Sequence, residues 1–197
     1  MAERATPHGP LSIEEYRKLE ESATVRHEYV VGEIYATDGA TRRHHRICGN
    51  IFRRLADAAA GGPCRVSMET MRLEVVDKDT STSVAYYPDV MVACGEEPED
   101  PYIEDEPCLV VEVLSPSSQS IDRREKLMVY RQIPSVEAYL IVHRETRRVE
   151  RHFRDEGGIW RKADLLEEGR FPVPCPPDAA LALDGIRRFA SPFITAI

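Results

Sequence analysis

Three residues have the type and placement for chemistry on a charged substrate: Asp89, Glu112 and Lys126. Glu112 interrupts the run CLVVEVL at 108–114, which is otherwise apolar and mostly β-branched. That pattern belongs to a strand covered on both faces. A lone ionised carboxylate there costs on the order of several kcal/mol unless it is paired or metal-bound. Asp89 lies in a second apolar stretch, YYPDVMVA at 86–93, with Pro88 near its start, where a missing N–H is tolerated. Lys126 falls on a helix expected from about Asp122 to Arg131 and shares its face with Val129, Tyr130 and Ile133. Lysine rarely occupies an apolar face without a negative partner, and Glu112 is the best candidate.

On adjacent strands the two acids would lie a few ångströms apart. They repel and raise one pKa, unless a divalent cation sits between them. Mg²⁺ suits one or two carboxylates plus water and a substrate phosphate, and Mn²⁺ is the alternative ion. A metal stabilises charge on a phosphoryl oxygen, and a lysine beside it can orient water or neutralise developing charge. Phosphodiester hydrolysis uses all these parts. The competing reading is a buried Glu–Lys ion pair plus a turn aspartate after proline. From the residues alone the two readings stand level.

The elements that must position these groups are legible in outline. Residues 1–10 read as a disordered lead and 11–197 as one domain. Leu11 to Ala23 fits a helix, with Ser12 as N-cap and Glu15 completing a capping box. Residues 27–36, HEYVVGEIYA, read as a tight hairpin turning at Gly32. Thr41 caps a helix that runs to about Ala60, with an apolar stripe of Ile47, Cys48, Ile51, Leu55 and Ala58 that also carries His44. Its arginines, Arg42, Arg43 and Arg46 among them, form either a solvated face or a set of phosphate contacts. Arg65 to Val76 alternates as a strand, and Ala138 to Val142 is a short apolar one. Thr146 to Arg154 and Ile159 to Lys162 form a polar hairpin, followed by a proline-rich tail with a short strand or helix near Leu181 to Arg187. Ser117 and Gln119 read as loop and capping residues. The sum is an α/β (α+β) fold with a central mixed β-sheet flanked by helices.

YPDV at 87–90, LVVEVLSPSS at 109–118 and DRREK at 122–126 together resemble the PD-(D/E)XK nuclease superfamily. Within it the chain is similar to the Uma-type restriction endonucleases. The likeness extends over roughly residues 11–186, through HEYVVGEIY, HHRICGNIFRRL and VEAYLIV. The resemblance implies a restriction-endonuclease-like fold and gives Asp89 and Glu112 the metal-ligand role. The superfamily pattern places lysine two residues after the glutamate, where this chain has Leu114. Lys126 would be a migrated replacement, as in other members of the subfamily. Glu28 matches an acidic position near the first elements and is either an active-site group or a hairpin surface residue. His44 is either a core histidine or a group behind the ligands.

Composition bounds the rest. Hydrophobic content of 42% and charged content of 30% suit a soluble globular protein, and no run reaches the length of a membrane helix. The first ten residues lack an apolar leader, so cytoplasmic residence is expected. A net charge of −8 argues against a general nucleic-acid binder but leaves room for a local basic patch. Five cysteines without CxxC or Cys/His spacing read as buried free thiols rather than a zinc site. The expectation is a Mg²⁺-dependent endonuclease acting on DNA, as a homodimer because two-strand cleavage needs two sites. The alternative is a non-catalytic nucleic-acid-binding or regulatory homo-oligomer that keeps the fold.

Overall fold

A computed structural model describes residues 10–37, 39–77, 82–114, 125–166 and 168–188. Most of the expected lead, the loop with Ser117 and Gln119, and the expected helix start at Asp122 lie outside the described residues. A six-stranded mixed sheet runs through the centre, in the order β11-β10-β9-β8-β6-β3. Its middle strand, β8 (Pro107–Leu114), is buried along nearly its whole length, as its apolar run requires. It pairs antiparallel with β6 (Val90–Cys94) and parallel with β9 (Ala138–His143). The polar hairpin extends this sheet as β10 (Arg148–Arg154) and β11 (Trp160–Leu166).

A second sheet, ordered β2-β1-β5-β4-β7, lies against one face of the first. Its strands β1 (His27–Val30) and β2 (Glu33–Ala36) form the expected hairpin. Val31 and Gly32 both have positive φ, as a two-residue turn of this hand needs. A Cβ on Gly32 would also fall 2.6 Å from Pro10 Cβ, so the turn leaves no room for a side chain. β5 (Thr82–Tyr86), β4 (Arg72–Asp77) and β7 (Ile103–Glu104) complete the sheet.

The sequence predicts one strand over Arg65–Val76, and the structure divides it. β3 (Cys64–Met68) joins the central sheet, whereas β4 joins the second one. Glu69, at positive φ, turns the chain between them. Alternation of side chains continues through such a turn, so the break leaves no mark in the pattern.

Three apolar clusters fix the layers. One joins the two sheets: Leu73, Val84 and Tyr86 meet Met91, Val110, Leu114, Tyr139 and Ile141, with Tyr130 and Ile133 from the helical segment between β8 and β9. That segment contains α3 (Leu127–Gln132), and Lys126 just before it already has helical φ and ψ. On the opposite face of the central sheet lies α2 (Arg42–Ala59), which buries Ile47, Cys48, Ile51 and Leu55 as expected. Its last buried residue is Ala59, whereas the expected Ala58 is exposed. Beside α2, in the same cluster, packs the C-terminal segment: β12 (Arg170–Pro172), β13 (Ala180–Ala182) and α4 (Leu183–Arg187). α1 (Ile13–Ser22), with its capping box in place, covers the outer face of the second sheet through Tyr16.

The cysteines depart from expectation. Only Cys48 is a buried free thiol. Cys64 is bonded to Cys94, and Cys108 to Cys175. The partners stand 30 and 67 residues apart in sequence, so only the pairing of β3, β6 and β8 and the return of the tail bring them together.

Candidate active site

Lys126 stands at the seam between the two sheets. Its Nζ donates to Glu28 Oε1 at 2.8 Å and to Glu112 Oε1 at 3.0 Å. Glu28 comes from β1 of the second sheet and Glu112 from β8 of the central one, so one ammonium ties both sheets together. Lys126 and Glu112 are each 4% exposed. Tyr130, one turn along the helical segment, donates its hydroxyl to the same Glu112 oxygen at 3.1 Å. The Tyr86 ring lies 5.2 Å from the ammonium, close enough for a cation–π contact. Burial raises the Tyr86 hydroxyl above the usual tyrosine range, with Lys126 opposing that rise. The Tyr86 oxygen is buried and has no hydrogen-bond partner among the described residues.

Asp89 immediately precedes β6, next to this cluster. Val90 pairs with Val111, so one further step in the same antiparallel register sets Asp89 opposite Glu112. Asp89 Oδ2 accepts the Val113 backbone N–H at 2.6 Å, on the peptide that follows Glu112. Its Oδ1 is 2.9 Å from Nε2 of His44, on α2. Asp89 therefore reaches toward the α2 side, while Glu112 turns toward α3. Burial pulls the His44 pKa down, but the hydrogen bond and charge of Asp89 outweigh it and hold the imidazole above its ordinary range. Behind His44 the ring nitrogen, the Cys48 thiol and a Glu69 carboxylate oxygen lie within 4.8 Å of one another. Burial, then Asp89 and Glu69, push the Cys48 thiol up, so it stays protonated.

Thus Glu28, Glu112 and Lys126 form one contact group, and Asp89 with His44 forms a second beside it. Leu114, where the superfamily pattern has lysine, is buried in the seam between the sheets. Lys126 delivers its ammonium to Glu112 from the following helix instead. By donor type Asp89, Glu112 and Glu28 suit Mg²⁺, since all three offer the hard carboxylate oxygens that this ion takes, but Asp89 is turned from the other two toward His44.

The basic end of α2 opens beside the same site. Arg42 and Arg46 are exposed, and Arg43 Nη1 donates to Glu145 at 2.8 Å. Three arginines that the sequence did not single out join them. Arg144 donates to Thr41 Oγ1 at 3.2 Å, Arg147 pairs with Asp184, and Arg187 donates to the carbonyls of His143 and Thr146. Burial, then the like charges of Arg43 and Arg147, lower the Arg187 pKa. Their sequence positions give no hint of this convergence, which depends on the tail returning beside α2. Tyr86 and Tyr130 were also visible only as apolar residues, because periodicity cannot show where a hydroxyl points.

Topology and site together define an α/β protein of restriction-endonuclease-like fold. The Uma2 family, described as "Putative restriction endonuclease", matches residues 13–184, and the chain belongs to it. Two proteins of Synechocystis sp. strain PCC 6803, both uncharacterised, are similar to it. The first, slr1290, is 32% identical over 157 residues, which is 79% of this chain and 80% of that protein. The second, sll1609, is 32% identical over 165 residues, covering 80% and 89% respectively. The fold is shared with a crystal structure of "a putative nuclease belonging to DUF820" from Anabaena variabilis. That match has a TM-score of 0.70 at 18% identity, over 90% of this chain and 97% of the other.

Proposed function

We propose that this chain is a Mg²⁺-dependent endonuclease, with Mn²⁺ as an alternative ion, that hydrolyses DNA phosphodiester bonds. The observation that carries the reading is the Lys126 ammonium between Glu28 and Glu112, with Asp89 one register step across from Glu112. Asp89 and Glu112 would hold the metal. A bound Mg²⁺ supplies positive charge at a phosphoryl oxygen and acidifies a bound water. Lys126 would set a fixed positive charge where the attacked phosphate gains negative charge, and its burial makes that charge act strongly. Glu28 and Tyr130 position that ammonium and the Glu112 carboxylate. His44 holds Asp89 from behind, as a partner to a ligating carboxylate does.

Arg42, Arg43 and Arg46, with Arg144 and Arg187 beside them, would take the DNA backbone on either side of the scissile phosphate. One such site cuts one strand, so a homodimer is the form proposed for cutting both. A specific observation favours the non-catalytic reading: Asp89 is already satisfied by His44 and the Val113 N–H, and Glu112 by Lys126 and Tyr130.

Cleavage of supercoiled plasmid separates the two readings. The wild-type chain with Mg²⁺ or Mn²⁺ should nick, and chelation should stop it. Asp89→Asn should lose activity by about 10³-fold, the scale of removing one preorganised electrostatic group. DNA binding without metal-dependent nicking would establish the non-catalytic alternative.

A further inference from the structure

Four of the five cysteines converge at one end of the central sheet. Cys64 begins β3, Cys94 ends β6, and the two face each other across the strand pair. Cys108 is the second residue of β8, and Cys175 arrives on the segment between β12 and β13. Both bonded pairs belong to a single cluster. Cys94 Sγ is 3.6 Å from Cys108 Sγ, although these two are not bonded to each other. The sulfurs of Cys94, Cys108 and Cys175 all lie within 4.8 Å of one another. Two disulfides that merely staple the fold have no need to touch. Cys64 adjoins that group of three through its bond to Cys94, so the cluster supplies the four sulfurs that a tetrahedral thiolate centre needs. With Zn–S at about 2.3 Å, the edge of such a tetrahedron is ~3.8 Å.

We propose that Cys64, Cys94, Cys108 and Cys175 form a four-thiolate site for one Zn²⁺ when the chain is reduced. This reverses the reading drawn from cysteine spacing. Zinc-finger spacing keeps ligands in neighbouring pairs along the chain, whereas here cross-strand pairing does the gathering. Each disulfide takes up two electrons and two protons from a thiol reductant, giving four thiols in all. Metal binding then releases four protons as the thiols become thiolates. The centre would carry a net charge of −2, and a cation stands beside it. The Arg65 guanidinium, paired with Glu104 on one side, donates on the other to the Gly95 and Glu96 carbonyls immediately after Cys94. Cys94 is exposed, so an ion can enter, while Cys175 is buried and anchors the inner side. The site lies at the other end of β6 and β8 from Asp89 and Glu112, so it would clamp the scaffold rather than take part in hydrolysis.

The test uses the whole chain, reduced without oxygen and freed of reductant. Native mass spectrometry after adding Zn²⁺ should show one ion per chain and the loss of four protons. Co²⁺ in its place should give an intense near-ultraviolet sulfur-to-metal band, which carboxylate ligands do not produce. The Cys94→Ser/Cys175→Ser double variant should bind at least about 100-fold more weakly, since outer partners of metal ligands alone account for 10–100-fold. Cys48→Ala should leave the band intact. Should the double variant fail to fold, mercurial titration of the wild-type zinc form gives the same information. Zinc release should track the blocking of four thiols. A reduced chain that retains no zinc, a band abolished by Cys48→Ala, or binding unchanged in the double variant would each overturn the site.

Discussion

Two buried glutamates on the central sheet, Glu112 and Glu150, are each 4% exposed, yet they are satisfied in different ways. Glu150, on β10, takes its cations from the rim. Lys162 reaches it at 3.1 Å with half of its own side chain in solvent, Arg148 stands at 3.4 Å, and His143 lies 2.7 Å away. Glu112 takes its ammonium from a lysine that is itself buried and that also holds Glu28 of the other sheet. A rim cation can leave its acid and find water; a buried one cannot. The Glu150 network therefore resembles an ordinary ion cluster near the rim of a sheet. The Glu112 network commits two sheets and a helix to holding one charge in place, which is how a preorganised site is built.

The sharpest way to break this contrast is Lys126→Met. The substitution keeps the apolar stem and removes the charge. Without metal, Glu112 and Glu28 lose their shared cation, and stability should fall by about 3–5 kcal/mol, the usual result of removing one partner from a buried pair. If Asp89 and Glu112 take Mg²⁺, the ion should restore part of that loss, because it supplies the missing positive charge. Nicking should still drop by about 10²–10³-fold with Mg²⁺ present. Thermal melting with and without Mg²⁺, beside plasmid nicking on the same sample, reads both effects. Wild-type nicking by this variant would remove Lys126 from the site.

Much of this arrangement was legible in the sequence, and the limits are physical. β8 could be read because a strand buried on both faces is a continuous apolar run, and an acid within it stands out. The capping box at Ser12 and Glu15 and the turn at Gly32 could be read because their signals are local. The break between β3 and β4 could not, because Glu69 supplies positive φ where glycine would have announced it. The disulfides, the Tyr86 and Tyr130 hydroxyls, and the arginines around Arg187 depend on contacts between distant segments. The Glu150 network is of the same kind, since its members read as a polar hairpin until β10 is set beside β9.

The Glu150 side can be probed by pH. His152 sits two residues along β10, stacked near Tyr139 and 4% exposed. Burial, then Arg131 and Lys162, push its pKa down from 6.5 to about 4. Above pH 6.5 neither the folded nor the unfolded chain protonates this ring. As pH falls from 6.5 toward 4, the unfolded chain gains a proton that the folded chain resists, so stability falls. At pH 5 the loss from this one group should be about 2 kcal/mol, and it should be complete below the folded pKa. His152→Phe keeps a ring against Tyr139 and cannot titrate. The melting temperature of wild type should drop more steeply than that of the variant between pH 7 and 5, by roughly 4–8 °C for a chain of this size. Parallel pH profiles would show that His152 is not held neutral by its surroundings.

The smallest effect should come from Lys162→Met, the counterpart of the first substitution. The chemical change is identical: one ammonium is removed from a glutamate that is 4% exposed. The setting differs, because Lys162 is half exposed and Glu150 keeps Arg148 and His143 nearby. An exposed partner contributes little, since water and salt already screen its charge. Stability should fall by no more than about 1 kcal/mol, and added salt should shrink even that difference. Mg²⁺ should not restore it, because no metal site is proposed there, and nicking should match wild type. A loss as large as that of Lys126→Met would mean that any lysine beside a buried glutamate on this sheet behaves alike. The special position of Lys126 would then rest on burial alone rather than on its bridge between two sheets.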